Sequence, residues 1–192
     1  MIRQDRELSG LKVLLGVSAG IAAYKAVDLA SKLVQSGSLV RTIMTENATK
    51  LVGPKSFEAV TCEPVFTSMW SGPECFRINH IGLGDWADVV VVAPATANMI
   101  ARMANGICDD LLSTTLSACF SKAIIVAPAM NTNMWNNPAV QKNVSTLGEY
   151  GVELVGPAQG RLACGTEGTG RMAEPAEIIE AIKKVARQNR SG

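Results

Sequence analysis

What this chain lacks narrows it first. No two of its five cysteines, Cys62, Cys75, Cys108, Cys119 and Cys164, stand at the two-residue gap of a zinc or redox pair, and their number is odd. Reduced thiols and no metal site are therefore expected. Charged residues are sparse and balanced, at 18% of the chain with a net charge of +1, which removes the basic surface of a nucleic-acid binder. No apolar run reaches the roughly 18 residues of a membrane span, and residues 1–10 lack the apolar centre of a signal peptide. The expectation is a cytoplasmic protein without membrane or nucleic-acid partners. Histidine occurs once, as His80, and a lone histidine is by default a surface or satisfied core residue.

What is present is a large apolar fraction. With 47% hydrophobic residues among 192, the chain can bury one good core. The stretch from Asp88 to Asn98 organises the rest. Its four consecutive valines, Val89 to Val92, show no polar alternation and read as a central strand of a parallel sheet, covered on both faces. Pro94 cannot donate to a ladder and is expected to stop that strand, with Thr96 and Asn98 capping a helix from Met99 onward.

Around it, apolar strand patterns at 11–17, 39–44, 123–127 and 152–155 alternate with helical ones. Ala22, Ala26, Leu29, Ala30 and Leu33 share one helical face that ends near Gly37, and residues 57–60, 100–106 and 109–120 also read as helical. Pro138 begins a further helix, and 176–188 forms a closing one. Such alternation predicts an α/β fold: one doubly wound, Rossmann-like, mostly parallel sheet spanning 11–188, with 1–10 as an extension and 189–192 as a tail or linker. Residues 61–79 have no steady period and read as a long excursion, in which Phe66 and Trp70 are candidate contact residues, as is the segment 130–134.

Small and polar residues collect where the strands end. Gly16, Ser18 and Gly20 imitate a dinucleotide-binding turn, although the third glycine is missing. A plain strand-to-helix turn would look the same. Thr45 and Asn47 follow the second strand, Thr96 and Asn98 the central one, and Asn131 the next. A glycine-rich run from Gly160 to Met172 surrounds Cys164 and reads either as a mobile lid or as a surface loop with an incidental thiol.

Taken together and in order, Gly16–Lys25, Asn79-His80-Ile81, Ala93–Asn98, Pro128–Asn131 with Met134, and Ala163-Cys164-Gly165 ending in Gly170-Arg171-Met172 closely resemble the homo-oligomeric flavin-containing cysteine decarboxylases, over roughly Leu11 to Ile182. The resemblance implies FMN held by Ser18, Ala19, Gly20 and Ile21, by Thr45 and Asn47, by Thr96, Ala97, Asn98 and Met99, and by Ala129. Met99 stands where many relatives have a hydroxyl residue, which weakens it as a ligand. His80 and Cys164 are implied as catalytic residues, with Asn131, Met134, Ala163, Arg171 and Met172 binding substrate.

The implied reaction oxidises the thiol of 4'-phosphopantothenoylcysteine to a thioaldehyde, releases carbon dioxide to give an enethiol, and reduces that to 4'-phosphopantetheine. An electron sink of this kind is what decarboxylation next to an ordinary amide requires. The alternatives are a peptidyl-cysteine decarboxylase, a flavin prenyltransferase and a non-catalytic FMN-binding regulatory subunit. The resemblance further implies trimers assembled into dodecamers, with FMN at a subunit boundary, and a phosphopantothenate–cysteine ligase, fused or separate, as partner.

Overall fold

The computed structural model describes residues 8–70, 79–163, 165 and 167–191. Strands β1 (Lys12–Val17), β2 (Leu39–Met44), β3 (Val65–Phe66), β4 (Val89–Ala95), β5 (Ala123–Pro128) and β6 (Glu153–Leu154) form one sheet. Their order is β3-β2-β1-β4-β5-β6, with every neighbouring pair parallel. The chain builds outward from β1 in one direction and then from β4 in the other. Between β1 and β4 lies the topological switch point, where ligands of open α/β sheets bind beyond the carboxyl ends of the strands.

Both faces of the sheet are covered, as the unbroken valines require. Val89 and Val91 pack with Val13, Leu15 and Val17 under α1 (Ala23–Gln35) and α9 (Pro175–Ser191). Val90 and Val92 pack on the other face, with Leu14, Ile100 and Leu112. That face is covered by α4 (Asn79–Trp86), α5 (Ala97–Asn105), α6 (Leu111–Ala118) and α8 (Pro138–Glu149). Full burial of each such side chain contributes about 1.5–3 kcal/mol, so the central strand is where the sheet gains most. Two short helices, α2 (Glu46–Thr49) and α7 (Thr132–Trp135), follow β2 and β5, and α3 (Pro54–Thr61) packs beside α1.

Three expectations need correcting. Strand β4 continues through Pro94 to Ala95. The ladder to β5 shifts register between Val92 and Ala95, which absorbs the missing proline donor, and α5 consequently starts at Ala97 with Thr96 as its cap. The excursion at 61–79 contains β3, too short at two residues to show any period, and ends in α4, whose first turn carries His80. Finally, β6 is not the last strand. A hairpin of β7 (Ala158–Arg161) and β8 (Glu167–Arg171) occupies much of the segment read as a lid or loop. Cys75, Cys164, residues 71–78 and the extension before Leu8 lie outside the described residues.

Helices α4 and α6 meet through a glycine and a thiol. A Cβ on Gly84 would lie 2.9 Å from Cys119 Sγ. Cys119 is buried, and burial pushes its thiol pKa up, so it remains a neutral apolar filler. Replacing a helical glycine by alanine gains up to about 1 kcal/mol in propensity, whereas overpacking a tight contact costs about 1–3 kcal/mol. Gly84→Ala is therefore expected to destabilise the wild-type chain by about 1 kcal/mol and to stabilise a Cys119→Ala background, as read from denaturant midpoints. Equal effects in both backgrounds would show that the contact is slack.

Candidate functional site

The turns after β1 and β4 are stitched together by one serine. The Ser18 hydroxyl donates to Pro94 O at 2.8 Å and accepts from Thr96 N–H at 3.0 Å, and its own N–H also reaches Pro94 O. At 2% exposure the hydroxyl is spent on this join and does not line the adjoining cavity. The join sets two helix starts side by side. Helix α1 begins with no side-chain cap and no acidic residue in its first turn. In α5 the Thr96 hydroxyl accepts from Met99 N–H, leaving the first amides, those of Ala97 and Asn98, without an intrahelical acceptor. Neither helix carries an acidic residue in its first turn, so neither positive end is offset by a carboxylate of its own helix.

A cavity of about 1180 Å³ opens above this join. Ala19, Gly20, Ile21, Thr96 and Ala97 form its floor, and Ala129, Asn131 and Met134 one wall. Ala163, Arg171 and Met172, from the hairpin and its flanks, also line it. Eleven residues marked in the sequence thus meet in one place. The wall from β5 is held to the hairpin by Met130 N–H donating to Gly170 O at 2.9 Å. Asn131 caps α7 by accepting from Asn133 N–H on Oδ1 at 2.8 Å, which fixes its side-chain amide at the cavity wall.

The remaining expected residues fall elsewhere. Met99 is buried in the core beneath α5, and Asn98 is exposed on that helix. Thr45 caps α2 and lines a neighbouring cavity of about 700 Å³ at the carboxyl end of β2, while Asn47 is exposed and accepts from Lys50. His80 is half-buried on α4 and lines neither cavity. Cys164, between the hairpin strands, lies outside the described residues.

Besides Arg171, the cavity contains charges that the sequence did not mark for the site. Lys25, Arg161 and Arg171 line it, together with Asp28 and Glu174. Asp28 is held by Lys32 at 2.5 Å. Glu174 receives Lys25 Nζ at 2.9 Å and Arg171 Nη2 closer still, and hydrogen bonds from Lys25 and then Arg171 hold its carboxyl below the usual carboxylate range. That link is fully formed above the ordinary carboxylate pKa and is lost as pH falls through the lowered one. Lys25 was visible in the sequence near the start of the first helix, but only the fold brings Glu174 to it, 149 residues away.

A family model described as Flavoprotein matches residues 1–187. This chain belongs to the Flavoprotein family. Among its relatives, the Coenzyme A biosynthesis bifunctional protein CoaBC of Bacillus subtilis (strain 168) is 47% identical over 177 residues, which are 92% of this chain and 43% of that protein. The protein of the same name from Escherichia coli (strain K12) is 43% identical over 90% of this chain and 42% of its own length. The chain thus spans under half the length of the curated relatives it matches. A mutant PPC decarboxylase complexed with pantothenoylaminoethenethiol superposes with a TM-score of 0.79 at 34% identity, covering 95% of this chain and all of the other. The FMN-dependent cysteine decarboxylase SpaF gives 0.80 at 34% identity, over 94% and 98% of the two chains.

The residues present fit a flavin mononucleotide. The first amides of α5 at the switch point, with no acidic residue in that turn, suit its phosphate, and Ile21, Met130, Met134 and Met172 give the cavity apolar surface for a ring system.

Seating of the hairpin depends on Gly170. It adopts φ +152°, and a Cβ there would lie 2.1 Å from the backbone oxygen of Met130. In Gly170→Ala the hairpin is expected to leave the β5 turn and become a site of rapid cleavage in limited proteolysis, while the sheet core unfolds near its original midpoint. A hairpin that stays resistant would mean that the Met130 carbonyl can withdraw.

Proposed function

We propose that this chain carries out FMN-dependent decarboxylation of 4'-phosphopantothenoylcysteine to 4'-phosphopantetheine. The observation that carries this reading is that residues of two helix starts without acidic first turns, Asn131 and three cations line one cavity beyond the sheet. FMN, when bound, supplies a two-electron oxidation of the substrate thiol and returns the pair once carbon dioxide has left. Asn131 orients the carboxylate through its side-chain amide without adding a fixed positive charge. A guanidinium there would favour the ground-state carboxylate, whose charge is lost in the reaction. The hairpin excludes water from the reacting end and brings Cys164 to protonate the decarboxylated product. Lys25, Arg161 and Arg171 favour a phosphorylated substrate over the uncharged body of a peptide, which separates this reading from peptidyl-cysteine decarboxylation.

The site is completed by another copy of the chain, in a trimer-based homo-oligomer. His80 stands away from the cavity of its own chain, while Ile21 and Tyr24 at the rim and Ile81 beside His80 are exposed apolar side chains that a second copy would cover. His80 then orients the substrate or takes its thiol proton in a neighbour's cavity, a role worth about 10²–10⁴ in rate for a general base. A phosphopantothenate–cysteine ligase, fused or separate, makes the substrate, and the setting is the cytoplasm. No described helix is long and apolar enough to cross a membrane.

The direct test is the visible spectrum of purified protein. Bands of oxidised flavin are expected, bleaching when anaerobic phosphopantothenoylcysteine is added and not when a peptide ending in cysteine is added; a colourless protein that takes up no FMN would refute the proposal. Asn131→Asp should retain the flavin and lose turnover by at least about 10²-fold, because it sets two carboxylates against each other. Mixing subunits of the inactive variants His80→Asn and Cys164→Ser should restore part of the activity, since each site draws the two residues from different copies. Mixtures as inactive as their parents would place both residues in one chain.

A further inference from the structure

Lys25 and Arg171 both direct their donors to the same atom, Oε1 of Glu174. Three segments distant in sequence meet there: the first turn of α1, the end of β8 and the residue before Pro175 that opens α9. Lys25 is largely enclosed, with its side chain 13% exposed, whereas Glu174 is about half exposed and sits on the cavity wall. Exposed ion pairs contribute little to folding, so stability is a weak reason for this arrangement.

The geometry around the carboxylate is that of a receiving site for an anion richer than Glu174. One oxygen serves two cations. Arg161 stands on the same wall and makes no ion pair with a described residue, and Asp28, the other acidic residue of the wall, is taken up by Lys32. Counting the lining side chains, three cations (Lys25, Arg161, Arg171) face two carboxylates (Asp28, Glu174), one of which is neutralised from outside the cavity. The Arg171 guanidinium is seated as well: it lies over Gly160, where a Cβ would come within 3.1 Å of Nη1. A phosphomonoester brings up to two negative charges and three acceptor oxygens to such a cluster, enough to replace the carboxylate and to engage both cations separately.

We propose that Glu174 is a place-holding counter-ion, which keeps Lys25 and Arg171 positioned for the phosphomonoester of the substrate and is displaced by it on binding. The inference rests on the function proposed above. A phosphomonoester is also part of FMN, and the same chemistry could come from there. The structure favours the substrate: the first amides of α5 offer donors for the flavin phosphate at the sheet edge, whereas Arg171 and Glu174, to which Lys25 reaches from the first turn of α1, belong to the hairpin and to the residue before α9. Glu174 acts through the two cations and is a positioning residue.

The test is calorimetric titration of the FMN-loaded protein with 4'-phosphopantetheine and, separately, with pantetheine. The near-isosteric Glu174→Gln removes the competing charge and should tighten 4'-phosphopantetheine by about fivefold, the size of one exposed ion pair, while pantetheine is held as before. Lys25→Gln should weaken 4'-phosphopantetheine by about tenfold or more, with FMN retained. An unchanged or weaker affinity for 4'-phosphopantetheine in Glu174→Gln, or an equal change for both ligands, overturns the inference, as does loss of FMN from either variant. Selective effects on the phosphorylated ligand in a protein that does not decarboxylate phosphopantothenoylcysteine would sink the proposed reaction alone. Normal turnover with phosphate binding indifferent to Glu174 would sink this inference alone.

Discussion

The buried hydroxyl of Ser18 is the join on which the site depends. Parallel strands end with unpaired carbonyls and amides, and at the switch point two such ends lie together without a helix between them. Ser18 resolves the conflict by donating to Pro94 O and accepting from Thr96 N–H, so that the polar groups of both turns are satisfied away from water. Once those turns are joined, their following helices start beside one another, and residues of both starts line the cavity. Strand β4 can carry a proline near its end because the register to β5 shifts there and because the Pro94 carbonyl has this partner.

From that join the rest of the site follows as a matter of reach. β5 passes its end to the same edge, and the Ala129 N–H donates to Ala95 O, which places Asn131 and Met134 on the wall. The hairpin is a separate layer, attached by backbone at Met130 and Gly170 and by charge at Glu174. Apolar burial holds the scaffold, and directed polar contacts tie the hairpin to it.

Much of this was legible because the signals were local. Val89 to Val92 could only be buried on both faces, and Ala26, Leu29, Ala30 and Leu33 could only face the sheet. Gly106, which ends α5 with φ +66°, and Asp110, which caps α6, are short-range devices that mark boundaries without tertiary help. The hairpin escaped notice because its strands are rich in glycine and polar residues and pack one face on a loop, leaving no hydrophobic alternation to detect. Strand β3 escaped because two residues cannot display a period.

The amino-acid sequence by itself determined the alternating α/β architecture, the small-residue turns at the strand ends and the set of side chains able to serve a flavin and a carboxylate, since each depends on neighbours within a few positions. Only the tertiary structure decided which of them share a cavity. It turned Ser18 from a ligand candidate into a stitch, buried Met99, set His80 apart and brought Glu174 to Lys25. Those outcomes follow from the strand order, which places residues far apart in the chain within hydrogen-bonding distance and is fixed by the packing of the whole sheet rather than by any single segment.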